Sequence, residues 1–212
     1  MATDRRTKSP RPQGHRRRDR EVIDAAARVF YERGYSNASV QDVADELGIL
    51  KGSLYHYIDT KEDLLFRLLD EVHEDVQGII GEVAARDELD ALGRIALYVR
   101  RTVEYNVGHR LKISVYYHDV ERLTKGRRDE IFSRRQEHES FLTGLIAEAQ
   151  GAGQADPALD ARIVMNCIFG TVTWVYRWYR PGGTSTSVDL PELCAQFVLS
   201  GITGPAKRAG PV

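Results

Sequence analysis

Lys51, Gly52, Ser53, Tyr55, His56 and Lys61 crowd into the stretch ELGILKGSLYHYIDTKEDLL, residues 46–65. Two ammonium groups, an imidazole, a phenol, a small hydroxyl and a glycine suit contact with nucleic acid. Lys51 can reach a base edge or a phosphate, and Ser53 is small enough to approach either. Gly52 lets the backbone come close to a groove wall, while the polar tips of Tyr55 and His56 fit phosphate oxygens. Lys61 falls in the first turn of a helix, where unpaired backbone donors favour an anion.

Short, punctuated helices must position these groups. Ile23, Ala26, Ala27 and Phe30 recur at spacings of three and four, which predicts a helix from about Asp19 to Arg33 that ends at Gly34. Ser39 is the expected N-cap of a two-turn helix with Val40, Val43, Ala44 and Leu47 on its buried stripe, broken by Gly48. A third helix is expected over Lys51–Tyr57, with Leu54 and Ile58 holding it to the core. A fourth, capped by Thr60 with Asp63 three residues on, carries Leu64, Leu65, Leu68, Leu69 and Val72. Two short helices joined by a glycine-containing turn form a helix-turn-helix, whose second helix enters the DNA major groove. Short capped helices also occur in other all-helical proteins, where Tyr55 and Tyr57 would be ordinary aromatics.

The stretch VIDAAARVFYERGYSNASVQDVADELGILKGSLYHYIDTKEDLL, residues 22–65, resembles the N-terminal region of TetR-type transcriptional regulators along nearly its whole length. The shared features are the helix ending in Gly34-Tyr35, the Ser39-Val40 start, the Val43-Ala44 pair, and the KGSLYHY and TKEDLL blocks in order. The resemblance implies an all-α fold, a homodimer and a variable C-terminal domain for a small effector. Leu50 departs from the pattern: many relatives have a small polar residue there, so this chain lacks a side-chain cap on the recognition helix.

Charge is divided unevenly. Residues 1–20 hold eight Lys or Arg against two Asp or Glu, leaving 22 basic against 29 acidic side chains in the other 192 residues. A cationic front end fits a polyanionic partner, so residues 1–18 are expected to form a flexible basic arm that follows phosphates or reaches a minor groove. As a mere solvated tail it would do neither. Residues 19–65 are then the DNA-binding domain, 66–204 the ligand-binding and dimerisation domain, and 205–212 a flexible tail. Cys167 and Cys194 lie in apolar helical context, which predicts buried, reduced thiols in a cytoplasmic protein. No apolar run is long enough for a membrane span, and the arginine-rich start has no apolar core of a secretory signal.

Beyond Gly78 five more helices are expected, near residues 87–107, 110–123, 127–150, 157–179 and 189–202. Ile163, Val164, Cys167, Ile168 and Thr171 on one of them, with Leu193, Phe197 and Ile202 on the last, would make a four-helix interface across a two-fold axis; intramolecular core is the alternative. Tyr98, Arg101 and Tyr105, then Tyr116 and Tyr117, then Trp174, Arg177 and Trp178 are candidate effector contacts. Aromatic walls suit an amphipathic ligand, and an arginine could pair with its anionic group. Plain core packing explains the same spacing. FGTVTWVYRWYRPGG, residues 169–183, resembles a branch of the family that includes actinobacterial controllers of fatty-acid and sterol breakdown, in which acyl-CoA esters are common effectors.

No metal is expected. His73 and His138 have no second histidine on the same helical face, and charged helix surfaces produce such clusters. Nor is a cofactor expected, because no nucleophile, base and orienting group recur together and no glycine-rich phosphate loop follows a strand. The leading function is therefore a repressor that binds a palindromic operator as a homodimer and is released by a hydrophobic acyl-CoA or steroid-derived CoA thioester. A dimeric DNA-binding adaptor without effector is one alternative. A small helical enzyme in which His118 and Asp119, or Ser114, do acid-base work is another. On the leading reading, loss of Lys61 weakens binding to every duplex and flattens its salt dependence, whereas loss of Lys51 alters preference among sites; isotherms at several salt concentrations separate the two.

Overall fold

The first helix, α1 (Gln13–Arg33), begins six residues before the expected start. Arg18 Nη1 donates to Glu21 Oε2 at 2.9 Å one turn on, which supports the added turn. Residues 13–18 are therefore helix rather than arm. The computed structural model describes residues 13–180 and 189–203, so the rest of the basic arm and the expected tail at 205–212 lie outside the described residues. The chain divides into two units, Met1–Leu68 and Leu69–Val212, three residues beyond the expected boundary. All regular structure among the described residues is helical.

In the first unit α1 is followed by α2 (Val40–Glu46), α3 (Lys51–Leu54) and the first turns of α4 (Lys61–Ala84). Gly34 and Gly48 end α1 and α2 with φ of 74° and 64°, the left-handed region where a side chain is strained. Ile49 N donates to Ala44 O at 3.0 Å, the six-to-one bond of a glycine-terminated helix. Ser39 and Asp42 close a capping box: Asp42 N donates to Ser39 Oγ at 3.2 Å, and Ser39 N to Asp42 Oδ2 at 2.7 Å. Thr60 and Asp63 repeat the device on α4, at 3.1 and 2.7 Å. Phe30, Val43, Ala44, Leu54 and Leu64 fill the space between the four helices, each at most 1% exposed. The helical hydrogen bonding of α3 stops at Leu54, short of the expected Tyr57. A tight turn then returns Tyr57 N and Ile58 N to Leu54 O.

The second unit holds the remainder of α4, then α5 (Ala91–Gly108), α6 (Arg110–Asp119), α7 (Lys125–Gly151), α8 (Ala161–Trp178) and α9 (Leu190–Ile202). These match the five expected helices to within a few residues. The expected 110–123 helix is α only to Asp119 and tightens to a 3-10 turn at Val120–Arg122. Helix α5 packs against α7, α8 and α9, so its stripe of Ile95, Val99 and Val103 is fully buried. Asn106 Nδ2 ties α5 to α8 by donating to Val172 O at 2.8 Å. No described helix is long and apolar enough to cross a membrane.

Leu142, fully buried on α7, and Ile163, 62% exposed on α8, set the scale of core and surface. Leu142→Ala should lower unfolding free energy by about 3 kcal/mol, whereas Ile163→Ala should change it by less than about 1 kcal/mol in the isolated protomer. Urea denaturation read by circular dichroism checks both.

Candidate functional site

Two surfaces gather the candidate residues. On the first unit Lys51, Gly52, Ser53, Tyr55 and His56 are all exposed, while Leu54 and Ile58 are buried beneath them. The α3 segment thus presents its polar groups outward on an apolar base. Leu50 is the N-cap of α3 and makes no side-chain cap, in line with its departure from the polar residue common there; its side chain is 81% exposed. Ser39 is exposed, with its hydroxyl engaged in the α2 capping box.

Lys61 behaves differently from the expectation. Its Nζ donates to Tyr35 O at 2.7 Å and Ala38 O at 2.8 Å, and lies 4.3 Å from the centroid of the Tyr35 ring. The ammonium therefore closes the loop between α1 and α2 by satisfying carbonyls left open there. A charge already coordinated in this way is a poor phosphate ligand.

On the second unit two cavities share a wall. One, of about 430 Å³, is polar and lined by His73, Glu74, Gln77, Arg134, Glu137 and His138. The other, of about 40 Å³, is a mostly apolar slot whose lining includes Tyr98, Ile113, Tyr116, Tyr117 and Phe169. His73 and His138 line both. Three expected effector residues, Tyr98, Tyr116 and Tyr117, thus meet at one slot. Arg101, Tyr105, Trp174, Arg177 and Trp178 line neither cavity. Arg101 is held on the surface by Glu82, at 3.0 and 2.9 Å, and by Glu104 at 3.1 Å, which holds the Glu82 carboxyl below its usual range. Tyr105 stacks on His109 with centroids 4.3 Å apart. Trp174, Arg177 and Trp178 occupy the outer face of α8. The slot's arginine is instead Arg135, whose Nε donates to Glu139 Oε1 at 2.9 Å.

The histidines came together from different helices. The ring centroids of His73 on α4 and His138 on α7 are 5.1 Å apart, and the residues are 4% and 5% exposed. His73 Nε2 lies 3.1 Å from the Tyr116 hydroxyl. Its Nδ1 is buried without a hydrogen-bond partner. Burial, then His138, Arg134 and Arg135, push His73 down to about 3. Burial also lowers His138, against the opposing pull of Glu137 and Glu139. Both rings are uncharged at neutral pH. Sequence spacing held a signal for them: Leu69, His73, Val76 and Ile80, and likewise Ile131, Arg135, His138 and Leu142, recur at intervals of four, three and four.

No group of three or more His, Cys, Asp or Glu side chains among the described residues could hold a metal ion. Ser114 is buried, His118 is exposed, and neither they nor Asp119 line a cavity. Both cysteines are free thiols, and Cys167 is exposed rather than buried because it falls on the outer face of α8.

Comparison with known proteins identifies both units. Residues 22–68 match the family described as bacterial regulatory proteins, tetR family, and residues 88–202 match the tetracyclin repressor-like C-terminal domain. The chain is 31% identical over 189 residues to the HTH-type transcriptional repressor KstR2 of Mycobacterium tuberculosis strain H37Rv, covering 86% of this chain and 92% of that protein. The solved structure of the ketosteroid transcriptional regulator KstR2 of Mycobacterium tuberculosis superposes with a TM-score of 0.79 at 28% identity, over 89% of this chain and 96% of that one. AibR in complex with isovaleryl coenzyme A and operator DNA superposes with a TM-score of 0.76 at 25% identity, over 89% of this chain and all of that one. The chain belongs to the TetR family of transcriptional regulators. Its first unit is the helix-turn-helix DNA-binding domain, and its relatives are repressors rather than enzymes.

Two outcomes follow from this geometry. Lys61→Met leaves the Tyr35 and Ala38 carbonyls without their donor and should cost about 1–3 kcal/mol of stability, with the slope of log affinity against log salt unchanged; calorimetry and DNA titrations read the two separately. A histidine whose folded pKa is depressed gives stability that is complete above the unfolded value of 6.5 and is lost as pH falls toward about 3. Because the unfolded chain takes up the proton first, that loss runs at about 1.4 kcal/mol per pH unit. Denaturation midpoints of His73→Phe between pH 6.5 and 4.5 should therefore fall less steeply than those of the parent.

Proposed function

We propose that the protein is a ligand-responsive repressor: a homodimer binds a palindromic operator, and a hydrophobic acyl or steroid-derived CoA thioester releases it. The observation that carries the reading is the cavity pair in the second unit. An apolar slot beside a polar chamber of about 430 Å³ has the size and mixed lining of a small-molecule site. AibR, similar over its whole length, holds isovaleryl coenzyme A together with operator DNA, and KstR2 is named for ketosteroid regulation. An adaptor without effector has no use for such a chamber.

Dimerisation follows from the outer face of α8 and α9. Of the residues expected to form a four-helix interface, Val164, Ile168 and Ile202 are buried within the protomer. Ile163, Leu193 and Phe197 remain 62%, 52% and 68% exposed, beside Trp174 and Trp178. So many large apolar side chains on one face of adjoining helices mark an interface. A second copy is its proposed occupant, because an isologous contact pairs two recognition helices, which enter successive major grooves about 34–36 Å apart. Lys51, Ser53, Tyr55 and His56 are the proposed DNA contacts, with Gly52 allowing the backbone close approach.

Effector binding shifts the dimer toward a state with different recognition-helix spacing, by no more than the ligand's differential affinity for the two states. Helix α4 is the covalent link, since it carries His73 on the cavity wall and begins in the head.

Selection of duplexes from a random-sequence pool should return an inverted repeat, and CoA thioesters with apolar acyl groups should release it in a fluorescence-anisotropy assay. A panel running from isovaleryl-CoA to a steroid-acid CoA ester that leaves both melting temperature and DNA binding unchanged removes the thioester from the reading. Phe197→Asp should give a monomer in sedimentation and lower operator affinity about 100-fold or more. A dimer that persists with Phe197→Asp refutes the interface.

A further inference from the structure

We propose that His73, with the His138 ring beside it, donates to a single uncharged oxygen, a ketone or hydroxyl, on the ligand, and that carboxylates are excluded from the chamber. This rests on the ligand-binding reading of the second unit and specifies which chemistry the site accepts.

Three observations meet here. First, the two rings form the wall common to the polar chamber and the small apolar slot, so a ligand that fills the chamber meets them. Second, His73 carries a buried, unsatisfied nitrogen. The Tyr116 hydroxyl has no other hydrogen-bond partner among the described residues, and a phenol that accepted from Nε2–H would leave its own proton without an acceptor. Donation from Tyr116 to Nε2 avoids that loss. It fixes the proton of His73 on Nδ1, the atom that lacks a partner. Nδ1 is shielded from solvent, so an acceptor oxygen that displaces its cover supplies the partner it lacks, and a ligand without one leaves it unpaired.

Third, the charges around the pair oppose an anion. Glu74 and Glu137 face the polar chamber. Its Arg134 is bound to Asp70 at 2.5 Å and to Glu130 at 3.6 Å, and Arg135 in the slot is bound to Glu139. Each guanidinium near the pair is therefore already matched by a carboxylate, and both imidazoles are neutral. A carboxylate would enter a partly dehydrated space with no unmatched cation to receive it. A ketone needs only the donor that Nδ1–H supplies. On a CoA thioester, the polyanionic head stays outside and the acyl or ring portion enters.

The test compares three probes of one skeleton: trans-decalin, 2-decalone and decalin-2-carboxylate, titrated at pH 7.5 into the full chain. 2-Decalone should bind about 5- to 10-fold more tightly than decalin, and the carboxylate more weakly than either. In His73→Phe the ketone's advantage over decalin should vanish. Should that variant fail to fold, ¹⁵N-histidine spectra of the parent carry the test, because the His73 Nδ1–H resonance should move with 2-decalone and not with decalin. Equal affinities, carboxylate preference or no binding of any probe overturns the proposal. Anisotropy of the selected operator, read in the same samples, keeps the regulatory reading separate. Ketone-selective binding without release would defeat regulation by this site and leave the chemistry at His73 standing. Release by CoA thioesters without ketone preference would do the reverse.

Discussion

A polar side chain that lands on the buried stripe of a helix must find a partner, because an unpaired polar group out of water costs more than the packing around it returns. Much of the second unit follows from how three such residues meet this demand. Lys112, 7% exposed, bonds Glu71 at 3.0 Å and fastens α6 to α4. His73 Nε2 lies 3.1 Å from the Tyr116 hydroxyl while its second nitrogen has no partner, and His138 shares its wall. Fully apolar residues at these positions would favour closer packing of α4, α6 and α7, with no chamber between them. The cavity and its polarity have a common origin.

The first unit meets a related demand at helix ends. Helices α2 and α3 are too short to stand alone, and the ends around them are closed by specific devices: a left-handed glycine after α1 and α2, a capping box before α2 and α4. Lys61 completes the set from a distance by binding carbonyls of the loop between α1 and α2. What remains outward is the α3 surface with Lys51, Ser53, Tyr55 and His56. A stiff frame with its own polar groups satisfied is what a recognition surface requires, since side chains that already serve the fold cannot also search for bases.

Helices α8 and α9 divide their apolar residues between two faces. Val172 and Val198 turn inward toward α5, whereas Ile163, Leu193 and Phe197 turn outward. For α8 this explains why Trp174 and Trp178 lie away from the slot that Tyr98, Tyr116 and Tyr117 share. A helix with two apolar faces reads from its residues as equally fit for core, ligand or partner, and only the position of its neighbours separates these uses.

The sequence by itself determined the helical class, the glycine-marked ends of α1 and α2, and the family, because caps, glycines and three-to-four spacing act over a few residues and leave local marks. It also held the stripe on which His73 and His138 lie. Tertiary structure alone decided that these two rings, 65 positions apart, would stand 5.1 Å from each other, that Arg135 rather than Arg101 would reach the slot, and that Lys61 would turn into its own unit. Each of those outcomes depends on which helix faces which. That choice is made by the summed burial of whole stripes, and no single residue records it.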